Sequence, residues 1–284
     1  MKILCYNFLS GGDMRKFLSS LLIMLCVLAF GGGAFAKDKI IKFVQVTDVH
    51  YRSDDEDAKI YIKEFVKNVN EIKGLSFVVF TGDNIDSSDM QSLKEFLRFT
   101  KSIKVPCYFI VGDHDVARNS GISKEKYFDT VRQYDWFNPA WTGNYKFAKK
   151  GFLFVAVDGA KEIIPGPNGY YKMNTLNWLS KTLNRNKNKD VIILQHFPLV
   201  EPRNVKSHTT YKAEDYLNML DTYNNVIAIV SGHYHTNKEE MRNGIYHISS
   251  PAFINEPHYY KLIEIIRSKD MLPMVFTQLR EIDL

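Results

Sequence analysis

The chain has 284 residues, 45% of them apolar and 24% charged, with a formal net charge of +5. These are ordinary globular values. The positive balance is weak and contains no Lys/Arg run, so nothing in it argues for a nucleic-acid-binding tail.

The N-terminus reads as a targeting segment. Arg15 and Lys16 form a short positive region, residues 17–30 are apolar except for Ser19 and Ser20, and Ala34-Phe35-Ala36 supplies small residues in a cleavage pattern. The apolar run falls short of the roughly 20 residues that a spanning helix needs. The expectation is a cleaved leader over residues 1–36, a mature chain beginning at Lys37, and a bacterial protein exported to the periplasm or beyond with no stable membrane span. Asp13 lies upstream of the positive region, and Ser10-Gly11-Gly12-Asp13 can be encoded by a ribosome-binding sequence, so the true start is expected at Met14. Cys5 and Cys26 leave with the leader. Cys107 remains alone in an apolar run and reads as a small buried hydrophobe.

Residues 37–284 have the length of one large α/β domain. In chain order, residues 40–46 are β-rich, and Ile60, Phe65, Val69 and Ile72 approach helical spacing. Residues 77–80 are a short strand, Leu93, Phe96, Leu97 and Thr100 suggest a helix, and 105–111 are again a strand. This rhythm predicts βαβ units. Residues 145–148 and 152–157 read as a hairpin. A helix is expected over 175–183 and another over 213–220. Strands are expected over 191–194, 226–230, 245–248, 259–266 and 274–279, and the closing strands, with no helices between them, are expected to pair antiparallel. The fold class is α/β, with two mixed β-sheets packed face to face and helices on the outside.

The chemistry-bearing residues sit where the strand-like runs stop. Asp48-Val49-His50 follows the first run, Gly82-Asp83-Asn84-Ile85-Asp86 the second, Gly112-Asp113-His114-Asp115 the third, Gln195-His196 a fourth and Gly232-His233-Tyr234-His235 a fifth. Strand ends in α/β sheets face a common crevice. Five of them therefore offer carboxylates and imidazoles to one place, a donor mixture suited to Zn, Mn, Fe, Co or Ni. Alternation along an extended segment puts Asp48 and His50 on one side. His233 and His235 either share an ion or, across a tight turn, serve two. The glycines at 82, 112 and 232 are expected to permit a sharp turn after each strand. Each block alone is commonplace; the ordered set is specific.

That set, Asp48-x-His50, Gly82-Asp83-x-x-Asp86, Gly112-Asp113-His114-Asp115, His196 and Gly232-His233-x-His235, resembles the calcineurin-like metallophosphoesterase superfamily over roughly residues 40–248. The resemblance implies a four-layer α/β/β/α fold and two divalent or trivalent transition-metal ions, manganese, iron or zinc. It implies that Asp48, His50, Asp83 and His235 hold the first ion. Asp83 then bridges to a second, completed by His196, His233 and Asp113. It makes His114 the catalytic imidazole and Asp115 the residue that orients it. Asp113 stands where the family usually has Asn. Asp86 stands where purple acid phosphatases carry an iron-binding Tyr, so that ligation is excluded, and Asp86 reads as a carboxylate behind the ligands or in a turn.

The function implied is hydrolysis of a small phosphoester, a nucleotide or lipid headgroup among the options, by a hydroxide shared between two ions, with His114 protonating the leaving oxygen. A phosphodiesterase or broad phosphoesterase is favoured. The competing reading is a weakly active or non-catalytic exported protein that binds a phosphoryl ligand through a second metal site altered by Asp113. Residues 201–210, including His208, form a candidate substrate-facing loop. Arg52 and Arg118 are candidate phosphate contacts, and His247 reads as structural. Oligomeric state has no signature in the sequence.

Overall fold

A computed structural model describes residues 38–203, 207–269 and 271–283. The expected leader, the Met14 start and the cleavage before Lys37 lie outside these residues. No described helix is long and apolar enough to cross a membrane.

The first half alternates strand and helix: β1 (Lys39–Val46), α1 (Glu56–Glu71), β2 (Val78–Thr81), α2 (Met90–Thr100), β3 (Cys107–Ile110) and α3 (Lys124–Tyr134). Each of these helices starts on a side-chain cap. Asp55 accepts from the Ala58 amide, Asp89 from Ser92 and Ser123 from Lys126, which satisfies amides the first turn leaves unpaired. The apolar stripe of α1 buries Ala58, Ile62, Phe65, Val66 and Val69, a helical spacing. Its Phe65 ring meets Phe80 of β2 edge-on at 6.0 Å.

The second half comprises β4 (Tyr145–Lys149), β5 (Phe152–Ala156), β6 (Gly169–Tyr170), α4 (Met173–Arg185), β7 (Asp190–Leu194), β8 (Thr210–Tyr211), α5 (Ala213–Leu220), β9 (Val226–Ser231), β10 (Lys238–Arg242), β11 (Ile245–Ser249), β12 (Tyr259–Arg267) and β13 (Met274–Glu281). The strands form a five-stranded sheet, β13-β12-β1-β2-β3, and a six-stranded sheet, β10-β11-β9-β7-β5-β4, with β6 and β8 as a small separate pair. β1, β2 and β3 run parallel, as do β5, β7, β9 and β11. The closing strands are thus only partly antiparallel. β10 is an antiparallel partner of β11, and its insertion lets β11 return parallel to β9.

An aromatic layer joins the sheets. Phe154 of β5 meets Phe43 at 5.5 Å and Phe77 at 4.8 Å. Two polar ties cross the same interior with their groups satisfied. The Gln45 amide donates to the Ser231 carbonyl and accepts from the Ser250 hydroxyl. Lys261, 1% exposed, donates to Glu239 and to the Ser249 carbonyl, and burial pushes its ammonium pKa down. Cys107 is buried and free, and burial pushes its thiol up, as suits an inert side chain.

Candidate metal centre

The parallel strands of both sheets deliver their C-terminal ends to one place. The loops leaving β1 and β2 stay zipped beyond the strands. The Asp48 amide donates to the Gly82 carbonyl, His50 to Asp83 and Tyr51 to Asn84, at 3.0, 2.9 and 3.1 Å. In the six-stranded sheet, the loops leaving β7 and β9 are tied likewise, the Gly232 amide donating to the His196 carbonyl at 3.0 Å. Asp48, His50, Asp83, His233 and His235 all adopt left-handed backbone, with φ between 45° and 70°. Asp48 and His50 therefore share a side through two left-handed residues and not through extended alternation.

The donor atoms fall into two sets. Asp48, His50 and His235 group together, and so do Asp83, Asp113, His196 and His233, each within 4.8 Å; His50 and Asp83 also group with His114 across the two. His196 Nε2 lies 3.3 Å from Asp83 Oδ2 and 3.5 Å from Asp113 Oδ1, and His233 Nδ1 lies 3.4 Å from Asp113 Oδ1. His235 Nε2 is 3.3 Å from Asp48 Oδ1. Asp83 Oδ2 is also 3.9 Å from His50 Nε2, so its carboxylate stands between the sets. His233 and His235 divide between them, the second of the two options their spacing left open. The donors are a mixture of imidazole and carboxylate, and His50 Nε2 and Asp113 Oδ1 are buried without a hydrogen-bond partner. Such orphaned lone pairs fit two transition-metal ions, which these seven residues would hold.

Groups behind the ligands fix their orientation. His196 donates Nδ1–H to the Thr81 carbonyl at 2.8 Å, and His233 donates Nε2–H to the His208 carbonyl at 3.1 Å. A carbonyl can only accept, so when each ring is neutral its other nitrogen offers a lone pair on the carboxylate side. Asp48 Oδ2 accepts from the Thr47 hydroxyl, both Asp48 oxygens accept from the His233 amide, and Oδ1 also faces His235. Asp86 lies behind His50, its Oδ1 3.3 Å from Nδ1.

The ligand-block glycines serve less for turning than for room. Only Gly82 has positive φ. A Cβ on Gly112 would sit 2.0 Å from Asp83 Oδ1, and one on Gly232 would sit 1.9 Å from Thr47 Oγ1 and 2.6 Å from Asp48 Oδ2. Neighbouring blocks approach because those side chains are missing.

Four buried or half-buried carboxylates here, Asp48, Asp83, Asp86 and Asp113, have imidazoles as their ion-pair partners. Burial works to raise the Asp48 carboxyl, but His235, His196 and His50 outweigh it and hold it well below the usual range. Asp113 is held down against burial in the same way by His196 and His233. Burial opposes charge on His196, yet Asp83 and Asp113 carry its pKa well above the usual value. The pocket asks for positive charge, which bound ions would provide.

His114 is exposed and sits beside the first set, its ring 4.6 Å from His50. Its Nδ1–H donates to the Asp86 carbonyl at 2.7 Å, which leaves Nε2 free. The expected orienting role of Asp115 is corrected. Asp115 turns inward, is fully buried, and accepts from the amides of Asn84, Ile85 and Gly112 and from the Asn84 side chain. It ties the second and third ligand loops together, while the Asp86 carbonyl orients His114. Burial and the charge of Asp83 push the Asp115 carboxyl up to about 7, against the amides that favour its charged form.

The centre opens into a cleft of about 580 Å³ lined by His114, Asp86, His208, Tyr234, Arg203 and the Pro165–Pro167 turn, among others. Arg52 pairs with Asp54 and Asp55, and Arg118 with Glu162; neither lines the cleft. Arg203 does, and nothing in the sequence singled it out beyond its membership of the 201–210 loop. His247 is buried within β11, away from the cleft.

The comparisons agree with this geometry. Residues 41–237 match the family model described as calcineurin-like phosphoesterase. The Arcobacter nitrofigilis protein named "Probable glycerophosphodiester phosphodiesterase GpdQ" is 29% identical over 214 residues, 71% of this chain and 74% of that one. A 3',5'-cyclic adenosine monophosphate phosphodiesterase of Haemophilus influenzae is 22% identical over 76% of this chain and 78% of its own. The fold is shared with a dimetal phosphatase from Danio rerio at a TM-score of 0.63 and 15% identity, covering 84% of this chain and 98% of the other. With the family model spanning most of the domain and the ligand set assembled at one cleft, the chain belongs to the calcineurin-like phosphoesterases, a family of phosphoester hydrolases.

Proposed function

We propose that this protein is an exported, dimetal phosphodiesterase acting on a small soluble diester such as a glycerophosphodiester or a cyclic nucleotide. The observation that carries the reading is the Asp83 carboxylate standing between two complete donor sets at the base of an open cleft. Bound ions would supply Lewis acidity towards the phosphoryl oxygens and activate water at neutral pH. The chain's own residues do the rest. Asp83 and the imidazoles fix the spacing of the centre, and the Asp86 carbonyl holds His114 with Nε2 free to protonate the departing oxygen. The cleft lining supports a diester over a monoester. Among its residues are the carboxylates Asp83, Asp86 and Asp113 and a single arginine, Arg203, a modest positive complement for a dianionic monoester.

Chelated enzyme assayed on bis(nitrophenyl) phosphate and nitrophenyl phosphate tests this. We expect activity to vanish on chelation, to return with Mn better than with Mg, since Mg prefers oxygen ligands, and to favour the diester. Restoration by Mg alone, or a preference for the monoester, would refute it. Export rests on the leader pattern of residues 1–36. The N-terminus of protein recovered from a bacterial host is expected at Lys37, and a membrane-retained form still carrying the leader would contradict that.

A further inference from the structure

The opposite end of the molecule is built differently from the metal centre. Because β1, β2, β3, β7 and β9 bring their C-terminal ends to the ligands, the loops that enter the parallel strands lie at the other end. Those loops carry Lys73 before β2, Lys101 and Lys104 before β3, Lys150 before β5, and Lys187 and Lys189 before β7. All six are exposed, and none lies within ion-pair distance of a carboxylate among the described residues. Of the acids at this end, Asp190 stands between Lys39 and Arg267 at 3.5 and 3.4 Å, and Asp135 accepts from the Phe137 amide and the Asn138 side chain. Asp38, Glu71 and Asp221 are exposed, and the six lysines outnumber them.

The same end displays aromatic rings. The segment after α3 is pinned to the start of β3 by a bond from the Asn138 amide to the Cys107 carbonyl at 2.9 Å. That anchor leaves Trp136 and Phe137 exposed at 79% and 92%. Phe137 and Lys101 line one groove. Two adjacent large rings left in water mark a contact surface.

We propose that this end docks on an anionic lipid bilayer, with Trp136 and Phe137 seated at headgroup level inside a field of unpaired lysines. Exposed tryptophans settle at membrane interfaces because one part of the ring system is apolar and the other can hydrogen-bond. Lysines near an anionic surface add attraction that salt screens. A second copy of this chain fits the surface poorly, since symmetric pairing sets lysines against lysines. Docking in this way turns the metal cleft away from the bilayer, towards water-soluble substrate.

Sedimentation of the full chain with phosphatidylcholine vesicles, with and without 30% phosphatidylglycerol, tests the proposal; light scattering and thermal melting monitor assembly and folding, and leader contributions are common to every variant. The wild type is expected to favour the anionic vesicles and to release from them at high salt. Trp136→Ser/Phe137→Ser should lower partitioning at least about tenfold, and Lys101→Gln/Lys104→Gln should lower it roughly fivefold per lysine and only on anionic vesicles. Equal partitioning of the wild type and both variants would overturn the proposal. So would a wild-type dimer that the aromatic substitutions convert to monomer, because the surface would then be a protein interface.

Discussion

Asp83→Ala is expected to lose both bound metal and catalysis. The Asp83 carboxylate is the one that faces both donor sets, with His196 Nε2 3.3 Å and His50 Nε2 3.9 Å from its Oδ2. Removing it takes a ligand from each ion and leaves imidazoles with less negative charge to balance the cations. Dimetal clamping of a phosphoryl group is worth several kcal/mol, so the rate should fall at least about 10³-fold. Asp83 Oδ1 also accepts from the His114 amide at 3.0 Å, so Asp83→Asn, which keeps the shape and an oxygen acceptor, separates local collapse from lost charge. Elemental analysis should find fewer than one equivalent of metal in the alanine variant. Retention of close to two would mean that Asp83 does not join the sites.

His114→Ala should behave in the opposite way and keep its metals while losing rate. The His114 ring is exposed at the cleft, and its Nδ1 is held by a backbone carbonyl that no side-chain substitution removes. Proton donation to a leaving oxygen contributes about 10²–10⁴-fold. The deficit should be of that order for a diester with an alkoxide leaving group and should shrink for a nitrophenolate, which departs without a proton. His114 also lies within ligand distance of His50 and Asp83, so the metal content of this variant is decisive. Loss of an ion would make His114 a ligand. Equal slowing on both substrate types would make it a stabiliser of phosphoryl charge and not an acid.

Much of this centre was legible because each ligand block follows a continuous apolar strand, and parallel strands must release their ends on one side. The seven metal-site residues proposed from sequence converge for that reason. Asp115 misled because adjacency to His114 in the chain says nothing about direction: the turn at Gly112 sends one side chain to the cleft and the other into the interior. The Asp86 and His208 carbonyls that orient His114 and His233 are backbone groups, invisible in a string of side chains. β10 was missed because its sequence, KEEMR, has an exposed, charged edge-strand pattern with little apolar alternation, and α3 because Tyr127, Phe128 and Val131 make only a short stripe. Arg203 gains meaning only from its place in the lining of the cleft.

The left-handed backbone at Asp48, His50, Asp83, His233 and His235 sets this protein's stability against its chemistry. Each such conformation costs a non-glycine residue roughly 1–2 kcal/mol, and five together approach the whole margin by which a domain of this kind stays folded, about 5–15 kcal/mol. Glycine would relieve that cost at any of the five positions, and each such replacement would delete a ligand. A laboratory search for heat-resistant variants that monitors only solubility would therefore drift towards a sturdier, inert protein. Selection in nature must act on turnover to keep these five side chains where they are.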